Sequence, residues 1–213
     1  MSRARLLLAD DHTLLLEGFR RLLEDEYELV GTVENGRDLL IAAPKLRPDA
    51  ILLDISMPLL NGIDATRRLR TLVPKSKVLI VTMHADPDYV AEAFRAGASG
   101  YVLKRSAASE LVRAIREVLA GRTYITPLIA GEMLDSLRKP PFRAGAGTTT
   151  LSPRQREVLQ LVAEGRTAKE IGALLSISVK TVEFHKSRIM KELGVRSVAD
   201  VTRYALRRGL VGM

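Results

Sequence analysis

The chain contains no cysteine. That excludes a disulfide framework, a thiolate metal site and a cysteine nucleophile, and it fits a reducing compartment. No apolar run approaches the roughly 18 residues that span a bilayer. The start, Arg3 and Arg5 followed by Leu6–Ala9, has a signal-peptide flavour, but Asp10 and Asp11 interrupt it far too early. The turn Ala9-Asp-Asp-His-Thr13 has none of the glycines of a dinucleotide-binding loop. No repeat is present beyond an alternation of short apolar runs and helical stretches. A protein of the cytoplasm with no membrane partner is expected.

What is present is an uneven charge. Residues 1–138 hold 19 basic and 19 acidic side chains, whereas residues 139–213 hold 14 and 6, so the last third carries the whole net charge of +8. A neutral segment joined to a basic one predicts two modules, one of which meets a polyanion. At 46% hydrophobic residues, the chain is too apolar for general disorder.

Apolar runs of four to six residues occur at Arg5–Ala9, Leu29–Val33, Ala50–Asp54, Val78–Thr82 and Gly100–Leu103. They read as buried parallel strands. Helical faces lie between or after them: Leu15, Phe19, Leu22 and Leu23; Ile63, Thr66, Leu69 and Leu72; Tyr89, Ala93 and Phe94; Leu111, Ile115, Val118 and Leu119. This alternation predicts an α/β fold, a doubly wound five-stranded parallel sheet over residues 1–122. A short helix, Leu128–Leu137, and a linker, Lys139–Thr150, fill a connecting segment at 123–150. From 151 to 213 the pattern predicts a small all-α domain. Ser152, Thr167, Ser178 and Ser197 read as helix N-caps, and Gly165, Gly194 and Gly209 as stops.

Ligands of open parallel sheets bind outside the carboxyl ends of the strands. Asp10, Asp11, Asp54, Thr82 and Lys104 all fall at such ends. A lone Asp there is usually a turn or cap residue; the joint occurrence is what carries information. Clustered carboxylates repel and call for a cation, and oxygen donors without Cys or His suit Mg²⁺. Phosphoryl transfer needs positioned charge, which a metal, Lys104 and the Thr82 hydroxyl would supply, with an Asp as nucleophile.

Asp10-Asp11, Asp54-Ile-Ser-Met-Pro58 with Gly62 eight residues after the Asp, Thr82 and Lys104 together resemble the receiver domain of two-component response regulators, over about residues 3–122. The resemblance implies a flavodoxin-like receiver fold with Asp54 as phosphoacceptor. It also implies Mg²⁺ on Asp11, Asp54 and the Ser56 carbonyl, with Asp10 acting largely through water, and Thr82 with Tyr101 as a switch pair. Lys104-Arg105 departs from the family's usual Lys-Pro and leaves that peptide bond's isomer open. His84 has two readings, a tuner of phosphoryl lifetime or a solvated loop residue, and His12 reads as a helix-start residue.

In the basic module, Thr167–Leu175, a Ser176-Ile-Ser178 turn and Val179–Leu193 have a helix-turn-helix layout. Val182, Ile189 and Leu193 share the inward face. Lys180, Phe184, Ser187, Arg188 and Lys191 point away; Lys180, Lys186, Arg188 and Lys191 suit phosphates, Thr181 could bond one, and Phe184 suits a thymine methyl or sugar. For any single basic residue a solvated face is the better reading, so the weight rests on the charge asymmetry. Leu151-Ser-Pro-Arg-Gln-Arg-Glu-Val-Leu159, Glu170-Ile171, Ser178-Val-Lys-Thr-Val182, His185 and Leu193-Gly194 are similar to the LuxR-type helix-turn-helix. By that resemblance Glu183, Phe184 and Ser187 fall where base edges are read, although Glu183 could equally pair on the helix surface with Lys186 or Ser187.

The two halves together resemble the NarL/FixJ class of response regulators. The expected function is a transcriptional regulator, not an enzyme, that binds double-stranded DNA. A sensor histidine kinase would switch it at Asp54, and a homodimer is expected when it is phosphorylated or DNA-bound. By the family's usual logic the receiver masks the recognition helix or blocks dimerisation until it is modified. The enzyme alternative, an aspartyl-phosphate hydrolase, would need an acid where Ser56 stands.

Overall fold

A computed structural model describes residues 3–106, 108–131, 151–207 and 209–211. The first half is a parallel sheet. Its strands are β1 (Arg5–Ala9), β2 (Glu28–Val33), β3 (Ala50–Leu53), β4 (Lys77–Thr82), β5 (Gly100–Leu103) and β6 (Tyr124–Ile125). Their order in the sheet is β2-β1-β3-β4-β5-β6, every pair parallel. The expected five-stranded sheet therefore has a sixth strand. β6 is two residues long, too short to leave a period-2 or apolar-run signal, and it lies within the stretch expected as a connector.

Helices cover both faces. α2 (Gly36–Leu46), α3 (Gly62–Leu72) and α4 (Pro87–Ala96) bury Leu39, Ile63, Leu69, Val90 and Ala93 against Leu7, Ile51, Leu53, Ile80 and Tyr101. α1 (Thr13–Leu23) and α5 (Ala108–Leu119) bury Leu16, Leu23, Leu111, Ile115 and Val118 against the alternate set Leu6, Leu8, Leu52, Val81 and Val102. Alternate strand residues feed opposite cores because successive side chains point to opposite faces. Leu72, expected on the inward face of α3, is 47% exposed, because the helix ends there. α2 was not anticipated as a face; Asn35 caps it with bonds from the Arg37 and Asp38 amides. Pro127 opens a helix, α6, seen at 127–131, whose Ile129 is fully buried in the sheet's core. The rest of the expected helix to Leu137, and the expected linker, lie outside the described residues.

The second half holds α7 (Pro153–Ala163), α8 (Ala168–Leu175), α9 (Val179–Leu193) and α10 (Val198–Arg207) around Val158, Leu159, Ile171, Val182, Ile189, Val201 and Ala205. The N-caps stand where the sequence places them. Ser152 and Thr167 form complete capping boxes with Gln155 and Glu170, and Ser178 and Ser197 accept from the Thr181 and Asp200 amides. Gly194 closes α9 in the left-handed conformation at φ 65°.

The halves meet through the loop between β3 and α3. Leu59, held at φ 67°, packs against the core of the second half. Gln160 of α7 is fully buried; its Nε2 donates to the Met57 carbonyl at 2.9 Å, and its Oε1 accepts from the Asn61 amide at 2.9 Å. Arg156 pairs with Asp64 at 3.0 Å, and Glu164 accepts from the Leu59 amide at 3.0 Å. Glu157, 3% exposed, meets Arg68, Arg154 and Arg37.

Candidate phosphoryl-transfer site and nucleic-acid interface

The backbone ladder runs one residue past the strands. The Asp10 amide donates to the Val33 carbonyl, the Asp54 amide to that of Ala9, and the Lys104 amide to that of Thr82. β3 ends at Leu53, one residue short of the expected Asp54, so Asp54 is the first residue after the strand. The extension delivers Asp10, Asp54 and Lys104 to the same edge as Thr82. Asp10 and Asp54 are each 3% exposed and Thr82 is fully buried. The Lys104 ammonium sits between the two carboxylates, 2.8 Å from Asp10 Oδ2 and 2.9 Å from Asp54 Oδ2. Asp54 Oδ1 accepts from the Ile55 amide at 2.7 Å. Burial works against the Lys104 charge, but the charge of Asp54 and the bonds to both carboxylates outweigh it, so the ammonium titrates above the usual lysine range.

Asp11 completes the cluster at the surface. Its carboxyl is pushed up, first by burial and further by the charges of Asp10 and Asp54, while His12 opposes the shift. His12 is the N-cap residue of α1, as a helix-start residue should be. It also does something the sequence did not reveal. Its Nδ1 lies 2.9 Å from Asp10 Oδ1 and 3.1 Å from Asp11 Oδ1, bridging both acids. Ligand atoms of Asp10, Asp11, His12 and Asp54 all lie within 4.8 Å of one another. Three convergent carboxylates with one lysine between two of them remain electron-rich, which fits a hard divalent cation.

Gly62 explains its own place in the motif. A Cβ there would stand 2.0 Å from the Asp54 carbonyl oxygen, so α3 can start against the site only at glycine. Tyr101 is fully buried and its hydroxyl donates to the His84 carbonyl at 2.9 Å. Burial, with the charges of Tyr89, Asp54 and Asp86, holds that phenol protonated far above its ordinary range. His84 is more than a solvated loop residue. Its Nε2 is 2.8 Å from Ser56 Oγ and its ring stacks on Tyr89. Burial lowers its pKa, opposed by Asp54. The Lys104–Arg105 peptide is trans.

On α9, Val182 and Ile189 are buried and Leu193 is partly so, as expected of the inward face. Phe184 is 57% exposed, with the Arg188 guanidinium 5.7 Å from its ring centre. Lys180, Glu183, Ser187, Arg188 and Lys191 are exposed and Thr181 partly so. On the helix surface Glu183 pairs with Lys186 at 3.0 Å, and Thr181 Oγ1 bonds Ser178 Oγ at 2.8 Å. Among the described residues, hydrogen bonds from this half to the receiver come from α7, α8 and the end of α10, and Glu183, Phe184, Ser187 and Arg188 on the outer face of α9 are exposed.

A doubly wound sheet with this acid edge, joined to this helical module, defines a class. The family model described as the response regulator receiver domain matches residues 6–116, and that described as bacterial regulatory proteins, luxR family, matches residues 149–205. The chain belongs to the response regulators of the NarL/FixJ type, with a receiver followed by a LuxR-type DNA-binding domain. It is 35% identical over 211 residues to the transcriptional regulatory protein MctR of Rhizobium johnstonii, covering 98% of this chain and 96% of that one. It is 36% identical over 214 residues to the oxygen regulatory protein NreC of Staphylococcus aureus, covering 97% and 99%. Among solved structures it is similar to the response regulator RcsB of Salmonella typhimurium, at 28% identity and TM-score 0.66, covering 96% of this chain and 97% of that one. It is likewise similar to RcsB in complex with DNA, at 28% identity and TM-score 0.59, covering 95% and 98%. It is thus a transcriptional response regulator, not an enzyme.

Proposed function

We propose that Asp54 is the residue phosphorylated by a sensor histidine kinase, and that this switches the affinity of the α9 face for double-stranded DNA. The observation that carries this reading is the Lys104 ammonium held at 2.8 and 2.9 Å between Asp10 and Asp54. A cation built against the acceptor carboxylate is what a transferred phosphoryl group requires. One Asp54 oxygen attacks phosphorus while the kinase histidine leaves with the electron pair. Lys104 faces the new phosphoryl charge, and Thr82 offers a hydroxyl to one of its oxygens. Asp10, Asp11, Asp54 and the Ser56 carbonyl would hold Mg²⁺, which neutralises charge on the transferring group. Thr82 and Tyr101 act as the switch pair. Thr82 Oγ1 is 3.4 Å from the His84 amide, and Tyr101 holds the His84 carbonyl, so both meet the β4–α4 loop.

For DNA, Lys180, Thr181, Arg188 and Lys191 face phosphates, whereas Glu183, Phe184 and Ser187 face base edges. A homodimer would place two such helices about 34–36 Å apart on successive major-groove half-sites. DNA affinity is measured with and without beryllofluoride plus Mg²⁺, in wild type and in Asp54→Asn. Wild type gains affinity with beryllofluoride and the variant does not. Equal affinity and equal oligomeric state in all four conditions would falsify the switch.

A further inference from the structure

We infer that His12 is a nitrogen ligand at the acid edge, so that the site takes a divalent first-row transition ion, Co²⁺ or Mn²⁺, in preference to Mg²⁺. This rests on the acid edge being a metal site, and it departs from an all-oxygen donor set. His12 stands at the N-cap of α1, yet its side chain makes no capping bond. The residues favoured there are Ser, Thr, Asp, Asn and Gly, whose role is to satisfy the first amides of the helix. Capping therefore does not account for this imidazole, which turns back to the acids instead. The His12 amide donates to Asp10 Oδ1 at 3.0 Å, which fixes the residue beside the cluster. Its Nδ1 is 2.9 Å from that same oxygen and 3.1 Å from Asp11 Oδ1.

These spacings suit donors to one shared ion. Two donors about 2.1 Å from an octahedral ion, at right angles, stand about 3.0 Å from each other. Ligand atoms of Asp10, Asp11, His12 and Asp54 all lie within 4.8 Å of one another. The other nitrogens near the cluster do not serve. Lys104 is a charged ammonium with no lone pair to offer, and His84 Nε2 is engaged by Ser56 Oγ at 2.8 Å. The neutral His12 ring protonated at Nε2 offers the Nδ1 lone pair, and its side chain, 64% exposed, has room to turn toward an ion. Mg²⁺ takes oxygen donors and gains little from imidazole. Imidazole suits the first-row transition ions, whose affinity for such sites rises from Mn²⁺ to Co²⁺. A hydrogen bond from Nδ1 to a carboxylate has the same length as an octahedral edge, so the deciding measurement reads nitrogen at the ion itself.

The test is calorimetric titration of the full-length, unphosphorylated protein with Mg²⁺, Mn²⁺ and Co²⁺, in wild type, His12→Ser and Asp11→Asn. Serine is a favoured N-cap, so His12→Ser keeps the start of α1. Wild type should bind Co²⁺ most tightly and Mg²⁺ least. His12→Ser should lose about tenfold in Co²⁺ affinity, the lower end of what losing a partner at a metal centre costs, and keep its Mg²⁺ affinity. Pulsed electron paramagnetic resonance of the Mn²⁺-loaded wild type should show a nitrogen coupled to the ion, and His12→Ser should not. Neither readout depends on phosphoryl transfer. Metal binding by wild type with no coupled nitrogen overturns the ligand. So does a Co²⁺ affinity undiminished in His12→Ser, or a change there by one common factor for all three ions, which is what a purely electrostatic role would give. Wild-type affinity for all three ions in Asp11→Asn overturns the reading of the acid edge as the metal site instead.

Discussion

Glu157→Ala should separate the two halves of the molecule. The carboxylate is 4% exposed and is shared by Arg68, by Arg154 at 3.0 Å and by Arg37 at 3.9 Å. Removing one partner of a buried ion pair costs about 3–5 kcal/mol. Two corrections reduce that figure here. Arg68, Arg154 and Arg37 are 42%, 34% and 24% exposed, so water screens them. Arg154 is on α7 itself and keeps its contact with Glu157 when the halves part, so only Arg37 and Arg68 bear on docking. The loss to docking is then about 2 kcal/mol. That is roughly a 30-fold shift toward the separated arrangement. Like-charge repulsion adds to it. Arg68 is already held below the usual guanidinium range by burial and then by the Arg37 charge, and Arg154 by burial and then by Arg37 and Arg68. Without Glu157 the repulsion among these three cations is opposed only by Asp64 acting on Arg68 and Glu164 acting on Arg37.

The assay is small-angle X-ray scattering of the unphosphorylated protein across a salt series. Glu157→Ala should show a larger radius of gyration than wild type, and Glu157→Gln, which keeps the shape and one acceptor, an intermediate value. Arg68→Ala should move in the same direction, with the Glu157→Ala and Arg68→Ala double variant shifted by less than the sum of the two. Superimposable scattering from wild type and Glu157→Ala would refute the assignment of Glu157 as a docking residue.

The interface also has a pH signature. Burial raises the Glu164 pKa against its bonds to Gln160 and Leu59, and its Oε2 is buried with no hydrogen-bond partner among the described residues. A carboxyl whose folded pKa lies above its unfolded one binds more protons when folded, so its burden on stability is absent below about pH 4.5 and grows as pH rises through the folded value. Glu164→Gln should therefore raise the denaturation midpoint at pH 7 and leave it near wild type at pH 4; equal effects at both pH values would contradict the burial account. Gly62→Ala should cost about 1–3 kcal/mol by overpacking, since its Cβ meets the Asp54 carbonyl at 2.0 Å. Its urea midpoint should fall and its loading from acetyl phosphate should slow, and wild-type values for both would count against that account. For DNA, Lys180→Ala should reduce the slope of log affinity against log salt by about 1, whereas Phe184→Ala should change sequence preference with the slope retained. Fluorescence anisotropy on specific and scrambled duplexes separates the two.

The acid edge was legible in the sequence because it depends on topology rather than on side-chain packing. Once β1, β3, β4 and β5 are recognised as parallel, Asp10, Asp54, Thr82 and Lys104 must share the carboxyl end of the sheet. The helix-turn-helix was legible for a similar reason: Ser152, Thr167, Ser178 and Gly194 mark helix ends by local hydrogen bonding, which needs no distant partner. What the sequence hid has the opposite character. The 3.6-residue period of α7 identifies Val158, Leu159 and Val162 as its apolar stripe, and by the same pattern it assigns Glu157 and Gln160 to solvent. The structure buries both, to 3% and 0% exposure. Gln160 and Glu157 are covered because α7 has two neighbours, its own domain on one face and the β3–α3 loop with α2 and α3 on the other. Hydrophobic periodicity reports only the first. A polar interface between halves of one chain leaves a helix looking amphipathic, and its partners, Met57, Asn61, Asp64 and Arg68, carry no pattern of their own. Leu59 gave the nearest thing to a signal, an apolar residue inside the loop that follows Asp54. The same indifference to periodicity hid the Ser56–His84 contact, made by two loop side chains 28 residues apart. The parts of this protein that couple one half to the other are thus the parts least visible in its sequence, because coupling between domains is made by polar groups whose partners lie far along the chain.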